Sequence, residues 1–185
     1  SGTVDEESGG LAGVKYLADT RWIAKDKTDF VIIPEPLDVD RVCIGHRGVY
    51  WFEVEAHGRI GHGSMPFLGA SAIEGMGEFL HLVEHELKPR LQARRTEVPV
   101  VPPGARHATI NTNGVQTPCV ADHCRAIFDR RFLLEEGLEF TKDEIAALVN
   151  EARRLVPDIR FEVHDKLIVH PTRTPDDSPI IPALT

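Results

Sequence analysis

Gly48-Val49-Tyr50-Trp51-Phe52-Glu53-Val54-Glu55-Ala56 is the stretch that decides the fold. Tyr50, Phe52, Val54 and Ala56 fall on one side of an extended chain, and Glu53 and Glu55 with Trp51 fall on the other. A period of two with this composition predicts a strand with one buried and one wet face. Downstream the period lengthens: Ile73, Met76, Leu80, Val83 and Leu87 recur at three and four residues, the spacing of an amphipathic helix. Residues 96–106 are punctuated by prolines and read as a loop, followed by strand candidates near 107–116 and 120–132. Thr141 with Glu144 matches a capping box, which predicts a helix start. Ile145, Leu148, Val149, Ala152 and Leu155 supply that helix's buried stripe, and Pro157 ends it. Ile159, Phe161 and Val163 alternate with Arg160, Glu162 and His164 in a last strand.

Strand, helix, strand, strand, helix, strand over about 48–167 is the order of a ferredoxin-like α+β domain: a four-stranded antiparallel sheet with both helices on one face. Working outward, Thr3 to Gly10 read as a strand end and a glycine turn. A helix bearing Leu11, Val14, Tyr16 and Leu17 follows, and then an apolar strand run, Phe30-Val31-Ile32-Ile33. Strand, helix and strand in that space resemble one parallel crossover of an α/β sheet that needs further strands. The expected organisation is a partial α/β segment (1–43), the α+β domain (44–168), and a proline-rich return segment (169–185).

Composition narrows the function classes. With 42% hydrophobic and 27% charged residues the chain reads as an ordinary globular protein. A net charge of −8 with scattered Lys and Arg argues against a nucleic-acid partner. No apolar run approaches the roughly 18 residues of a membrane span, so no membrane partner is expected. Cys43, Cys119 and Cys124 show no paired spacing, which points away from a disulfide framework or structural zinc and toward a reducing cytoplasm.

Four clusters could carry chemistry. Glu6 and Glu7, before two glycines at a predicted strand end, could divide metal binding and proton abstraction between them, and Glu35 between two prolines could add a carboxylate at the same edge. Taken alone, such acids are ordinary solvated turn residues. His81-Leu82-Val83-Glu84-His85 places two imidazoles one helical turn apart, an inverted zinc-protease pattern on what reads as a solvated helix face with no third ligand. Gly58 to Pro66 flanks His62 with glycines, so a loop imidazole there could donate to an oxyanion. Asp129-Arg130-Arg131 ends a strand, where one arginine could hold a carboxylate or simply pair with Asp129.

In order and spacing, Asp5-Glu6-Glu7-Ser8-Gly9-Gly10, Asp29 to Pro36, Gly45 to Gly48, Gly61-His62-Gly63-Ser64-Met65-Pro66 with Gly69 and Ala72, and Asp129-Arg130-Arg131 resemble the aminoacylase and carboxypeptidase G family of di-zinc metallopeptidases. Acetylornithine deacetylase and succinyl-diaminopimelate desuccinylase belong to that family. The resemblance implies a hydrolase of N-acyl amino acids or peptides, with Glu6 as general base, Glu7 on one zinc and Glu35 on the other, and cobalt or manganese as possible substitutes. It further implies that the α+β domain is an inserted lid that forms a homodimer, that His62 reaches the partner's site to stabilise the tetrahedral intermediate, and that Arg131 holds the substrate carboxylate. The family's histidine ligands and bridging aspartate have no counterpart in these 185 residues, so the chain alone is expected to be inactive. The Asn-bearing segment usual before the family's Arg strand reads here as Gln116-Thr117-Pro118-Cys119-Val120-Ala121. Two other readings stay open: a non-catalytic dimerisation module, and a zinc hydrolase built on His81, Glu84 and His85.

Overall fold

The computed structural model describes residues 2–34, 42–62, 65–94, 109–113 and 120–184. Along the chain the elements are α1 (Val14–Asp19), β1 (Gly45–His46), β2 (Gly48–His57), α2 (Ala72–Leu82), α3 (Lys88–Ala93), β3 (Thr109–Asn113), β4 (His123–Phe132), α4 (Leu138–Leu155), β5 (Arg160–Val169), β6 (Thr172–Arg173) and α5 (Ile180–Leu184). A π turn, Val83–Leu87, joins α2 to α3. The chain divides into two compact units, Ser1–His46 with Arg173–Thr185, and Arg47–Thr172. No helix among the described residues is long and apolar enough to cross a membrane.

The larger unit is a mixed helix-and-sheet structure around an antiparallel four-stranded sheet ordered β3-β4-β2-β5. Its centre is the alternating stretch of β2: Tyr50, Phe52, Val54 and Ala56 are buried, and Phe128 and Phe161 on the neighbouring strands join them. Register places Phe52 opposite Phe128 and Ala56 opposite Phe161, so one sheet face is continuously apolar. Burying that face against α2 and α4 is the main favourable term in folding the unit. A register shift between Trp51 and Phe52 skips Lys166, so that Asp165 stands opposite Phe52 and Leu167 opposite Trp51.

Several sequence expectations need correction. The helix stripe is rotated: α2 and the π turn bury Ala72, Gly75, Met76, Phe79, Leu82, Val83 and Leu87, while Ile73 is exposed and Leu80 is half-buried. The reason is Phe79, whose ring meets Phe128 edge-on at 5.6 Å and thereby sets the helix's rotation. The capping box does not form. Helix α4 begins earlier, after Gly137 at φ 73°, and Thr141 lies inside it with its hydroxyl donating to the Gly137 carbonyl at 2.8 Å. Glu144 is drawn instead to Arg94 and Arg130. The stripe of α4 is otherwise as expected, except that Leu155 is exposed.

In the smaller unit α1 is a short helix with no buried residue, and Thr3-Val4 and Phe30 to Ile33 are not strands. Val31, Ile32 and Ile33 are 57–69% exposed. An apolar run becomes a strand only where a neighbouring ladder takes its amides and carbonyls, and among the described residues none does. The return segment is tied to residues 44–46 by the β1–β6 pair and by a Thr174 amide donating to the Ile44 carbonyl at 2.6 Å.

Candidate functional site

Glu6 and Glu7 sit on a single 3-10 turn, Glu6–Ser8, with both side chains exposed. Asp5 enters it at φ 68°, and Gly9 and Gly10 leave it at φ 99° and 67°. Glycine is the residue that takes such angles without steric cost, and aspartate tolerates them. The turn closes on itself: the Gly10 amide donates to the Asp5 carbonyl at 2.6 Å, the Gly9 amide to the Glu6 carbonyl at 3.0 Å, and the Ala12 amide to the Asp5 carboxylate at 3.1 Å. Asp5 is therefore the residue that shapes the acidic turn, a role the sequence reading did not assign. Glu35 lies outside the described residues. Within those residues, neither Glu6 nor Glu7 belongs to a group of three or more potential metal donors.

His62 is exposed on a loop pinned at its base. Arg59 and Ala70 exchange both backbone hydrogen bonds, at 2.9 and 2.8 Å, and the Gly58 amide donates to the Asp122 carbonyl at 2.8 Å. The Arg59 Nε donates to the Leu68 carbonyl at 3.0 Å. A Cβ at Gly58 would stand 2.0 Å from the Ala70 carbonyl oxygen, so only glycine permits this closure. The His62 carbonyl accepts the Met65 amide at 2.8 Å.

Asp129-Arg130-Arg131 separates across the sheet because neighbours on a strand face opposite ways. Arg131 is on the face away from the helices, gripping Asp129 through Nε and Nη2. Arg47 belongs to the same charged group: burial lowers its pKa, the Arg131 charge lowers it further, and Asp129 partly opposes both. A planar guanidinium in such a fork is the group that recognises a carboxylate at two points. Arg130 points the other way and is fully buried, 2.7 Å from Glu136 and 3.3 Å from Glu144. Arg94 completes this ionic network, bridging Glu144 at 2.5 Å and Glu136 at 2.9 Å. Those bonds, to Glu144 first, hold the Arg94 pKa above its ordinary value.

His81 and His85 do share one exposed face, with ring centroids 4.3 Å apart. Glu84 is engaged by Lys88 at 2.5 Å, and no group of three potential donors among the described residues includes either imidazole. On the open sheet face, Glu53 is only 4% exposed and lies 2.9 Å from Lys166, so the wet side of β2 is drier than its alternation predicts.

Fold and site together define an α+β accessory domain carrying a loop histidine and an arginine fork, in one chain with a paired-glutamate turn. Residues 44–155 match the family model of the peptidase dimerisation domain, and the chain belongs to that family. It is 29% identical over 134 residues to succinyl-diaminopimelate desuccinylase of Paracoccus denitrificans, a match covering 70% of this chain and 34% of that protein. It is 32% identical over 167 residues to the uncharacterized protein YgeY of Escherichia coli K12, covering 88% of this chain and 39% of the relative. In fold it is similar to a tripeptidase from Staphylococcus aureus (TM-score 0.65, 19% identity, 98% of this chain and 44% of that one). It is also similar to the aminopeptidase PepT of Bacillus cereus (TM-score 0.64, 19% identity, 97% and 44%). The chain thus spans between a third and two-fifths of the length of these two curated relatives.

Proposed function

We propose that the chain is the lid, with an adjoining catalytic-domain stretch, of a metal-dependent amidohydrolase that cleaves an N-acyl amino acid or a short peptide. The observation that carries this reading is the presence, in one chain, of a peptidase dimerisation domain and the preorganised Glu6–Glu7 turn upstream of it. In this reading residues 1–43 belong to the catalytic domain, 44–168 form a ferredoxin-like lid that pairs two copies, and 169–185 lead back. Glu6 accepts the proton of the attacking water. Glu7 and Glu35 each offer a carboxylate to one of two zinc ions, for which cobalt or manganese can stand in. Zinc, when bound, makes water more acidic and polarises the amide carbonyl. His62 donates to the developing oxyanion in the partner copy, and Arg131 holds the substrate carboxylate. The protein works in the cytoplasm, without nucleic-acid or membrane partners.

The described residues do not complete that site, since a working zinc needs three or more protein ligands and neither Glu6 nor Glu7 has such company. Hydrolysis is accordingly assigned to a longer protein and not to these 185 residues alone. The test replaces the matching segment of the Paracoccus desuccinylase with this chain and assays N-succinyl and N-acetyl amino acids. Turnover that disappears with Glu6→Gln supports the reading. A folded, dimeric chimera without turnover points to a non-catalytic dimerisation module instead.

A further inference from the structure

The register of the larger unit brings three histidines and two glutamates together on the sheet face away from the helices. His57 stands opposite His123, and Glu55 opposite Glu162, while His164 lies two residues along β5. Glu55 is the hub: its Oε2 lies 3.1 Å from His123 Nε2 and 3.2 Å from His57 Nε2, and its Oε1 lies 3.9 Å from His164 Nε2. Glu162 lies 3.5 Å from His164 and 3.8 Å from His57, and also pairs with Arg160. Two overlapping triads result, Glu55–His57–His123 and Glu55–Glu162–His164, each with its ligand atoms within 4.8 Å of one another.

We infer that this cluster is a binding site for a divalent transition-metal ion of the zinc class, held by Glu55, His57 and His123, with Glu162 and His164 beside it. The first argument is spacing. Donors about 2.0–2.2 Å from a tetrahedral ion stand roughly 3.3–3.6 Å apart. The two Glu55–imidazole spacings are already 3.1 and 3.2 Å, so binding needs side-chain adjustments of only about an ångström within the 4.8 Å limit. The second argument is independent of spacing. His57 Nε2 is shielded from solvent yet has no hydrogen-bond partner among the described residues, although a carboxylate oxygen lies 3.2 Å away. A buried ring nitrogen left without a hydrogen bond beside a carboxylate oxygen is a position that a bound cation would satisfy. The third is donor chemistry: imidazole with carboxylate selects zinc, nickel, cobalt or copper over magnesium and calcium, which take oxygen ligands. The three ligands sit on two hydrogen-bonded strands, β2 and β4, with Glu162 and His164 on the adjoining β5, so the site is held together before the ion arrives.

The inference does not rest on the hydrolase reading, because none of Glu6, Glu7, Glu35, His62 or Arg131 takes part in it. The test is calorimetric titration of the 185-residue chain with zinc chloride, and separately with magnesium chloride. Expected is saturable zinc binding with no magnesium binding. His57→Gln and His123→Gln should each weaken it by more than the roughly 10–100-fold that loss of a supporting residue costs, whereas His85→Ala leaves it unchanged. Histidine ring NMR of the unaltered chain gives a readout that needs no variant: zinc should shift the His57 and His123 signals first. Absence of zinc binding, binding indifferent to both glutamine variants, loss of binding with His85→Ala, or unmoved His57 and His123 signals would each overturn the inference.

Discussion

Arg131 closes a two-pronged fork on Asp129, two residues back on the same strand, with Nε and Nη2 at 2.8 and 2.9 Å from the two carboxylate oxygens. In the role proposed for Arg131, a substrate carboxylate would share or displace this partner, and planar two-point geometry would decide how well it competes. Arg131→Lys keeps the charge and removes the fork. In the hydrolytically complete protein this variant should raise KM by about tenfold, roughly 1.4 kcal/mol, with a smaller change in kcat. An unchanged KM in steady-state kinetics would leave Arg131 as a partner of Asp129 and nothing more.

Beneath the sheet, Arg130 is fully buried and its Nε finds no partner among the described residues, while its Nη atoms serve Glu136 and Glu144. Truncation would leave two nearly buried carboxylates with Arg94 as their remaining ion-pair partner among the described residues. Arg130→Met should cost about 3–5 kcal/mol in urea unfolding, the usual cost of breaking a buried ion pair. Arg94→Met should cost less, because that side chain is 25% exposed and water can replace it. Equal losses from the two variants would refute this division of roles.

The same network predicts an acid limit. Burial pushes the Glu136 carboxyl up, but the Arg130 guanidinium, the Leu133 amide and Arg94 outweigh it and hold the group below the usual carboxylate range. A folded pKa below the unfolded one, near 4.3, contributes stability in full above that value and loses it as pH falls through the folded pKa. The urea midpoint should therefore drop on acidification below about pH 4.3, and Glu136→Gln should flatten that part of the profile. A variant profile parallel to the wild type would assign the acid sensitivity elsewhere.

What could be read from sequence was what depends on local period. The buried face of β2 was legible because Tyr50, Phe52, Val54 and Ala56 alternate without interruption, and the same holds for most of the α4 stripe. Features that depend on distant partners were not. Thr141 and Glu144 carry a capping-box spacing, yet Glu144 answers to Arg94, 50 residues away. Phe30 to Ile33 have strand composition, but composition cannot supply a neighbouring strand. Arg130 and Arg131 look equivalent as a pair until the register assigns them to opposite faces, and the cluster around Glu55 exists only through cross-strand pairing.

Thr141 shows how such a misreading can be checked. Its buried hydroxyl donates to the Gly137 carbonyl inside the helix, so the group serves the first turn as a back-bonded side chain and not as a cap. Thr141→Val keeps the shape and removes the donor, and should cost about 1 kcal/mol. If Thr141 were the cap, loss would instead fray the helix start, visible as lost amide protection over the first turn after it.

Phe79 is the point where helix rotation and sheet packing meet, edge-on to Phe128 at 5.6 Å and near Phe161 at 6.3 Å. It is completely buried, and Phe52 stacks on Phe128 at 5.0 Å behind it. Phe79→Ala leaves a cavity that the ring stack cannot fill, and should cost about 3–5 kcal/mol in urea unfolding. Phe79→Leu keeps most of the volume and should cost under about 1.5 kcal/mol. The zinc affinity of the open face should survive both changes wherever the protein remains folded, because Glu55, His57 and His123 face away from this ring. Comparable losses from the alanine and leucine variants would mean that packing volume at residue 79 does not set the fit of α2 on the sheet.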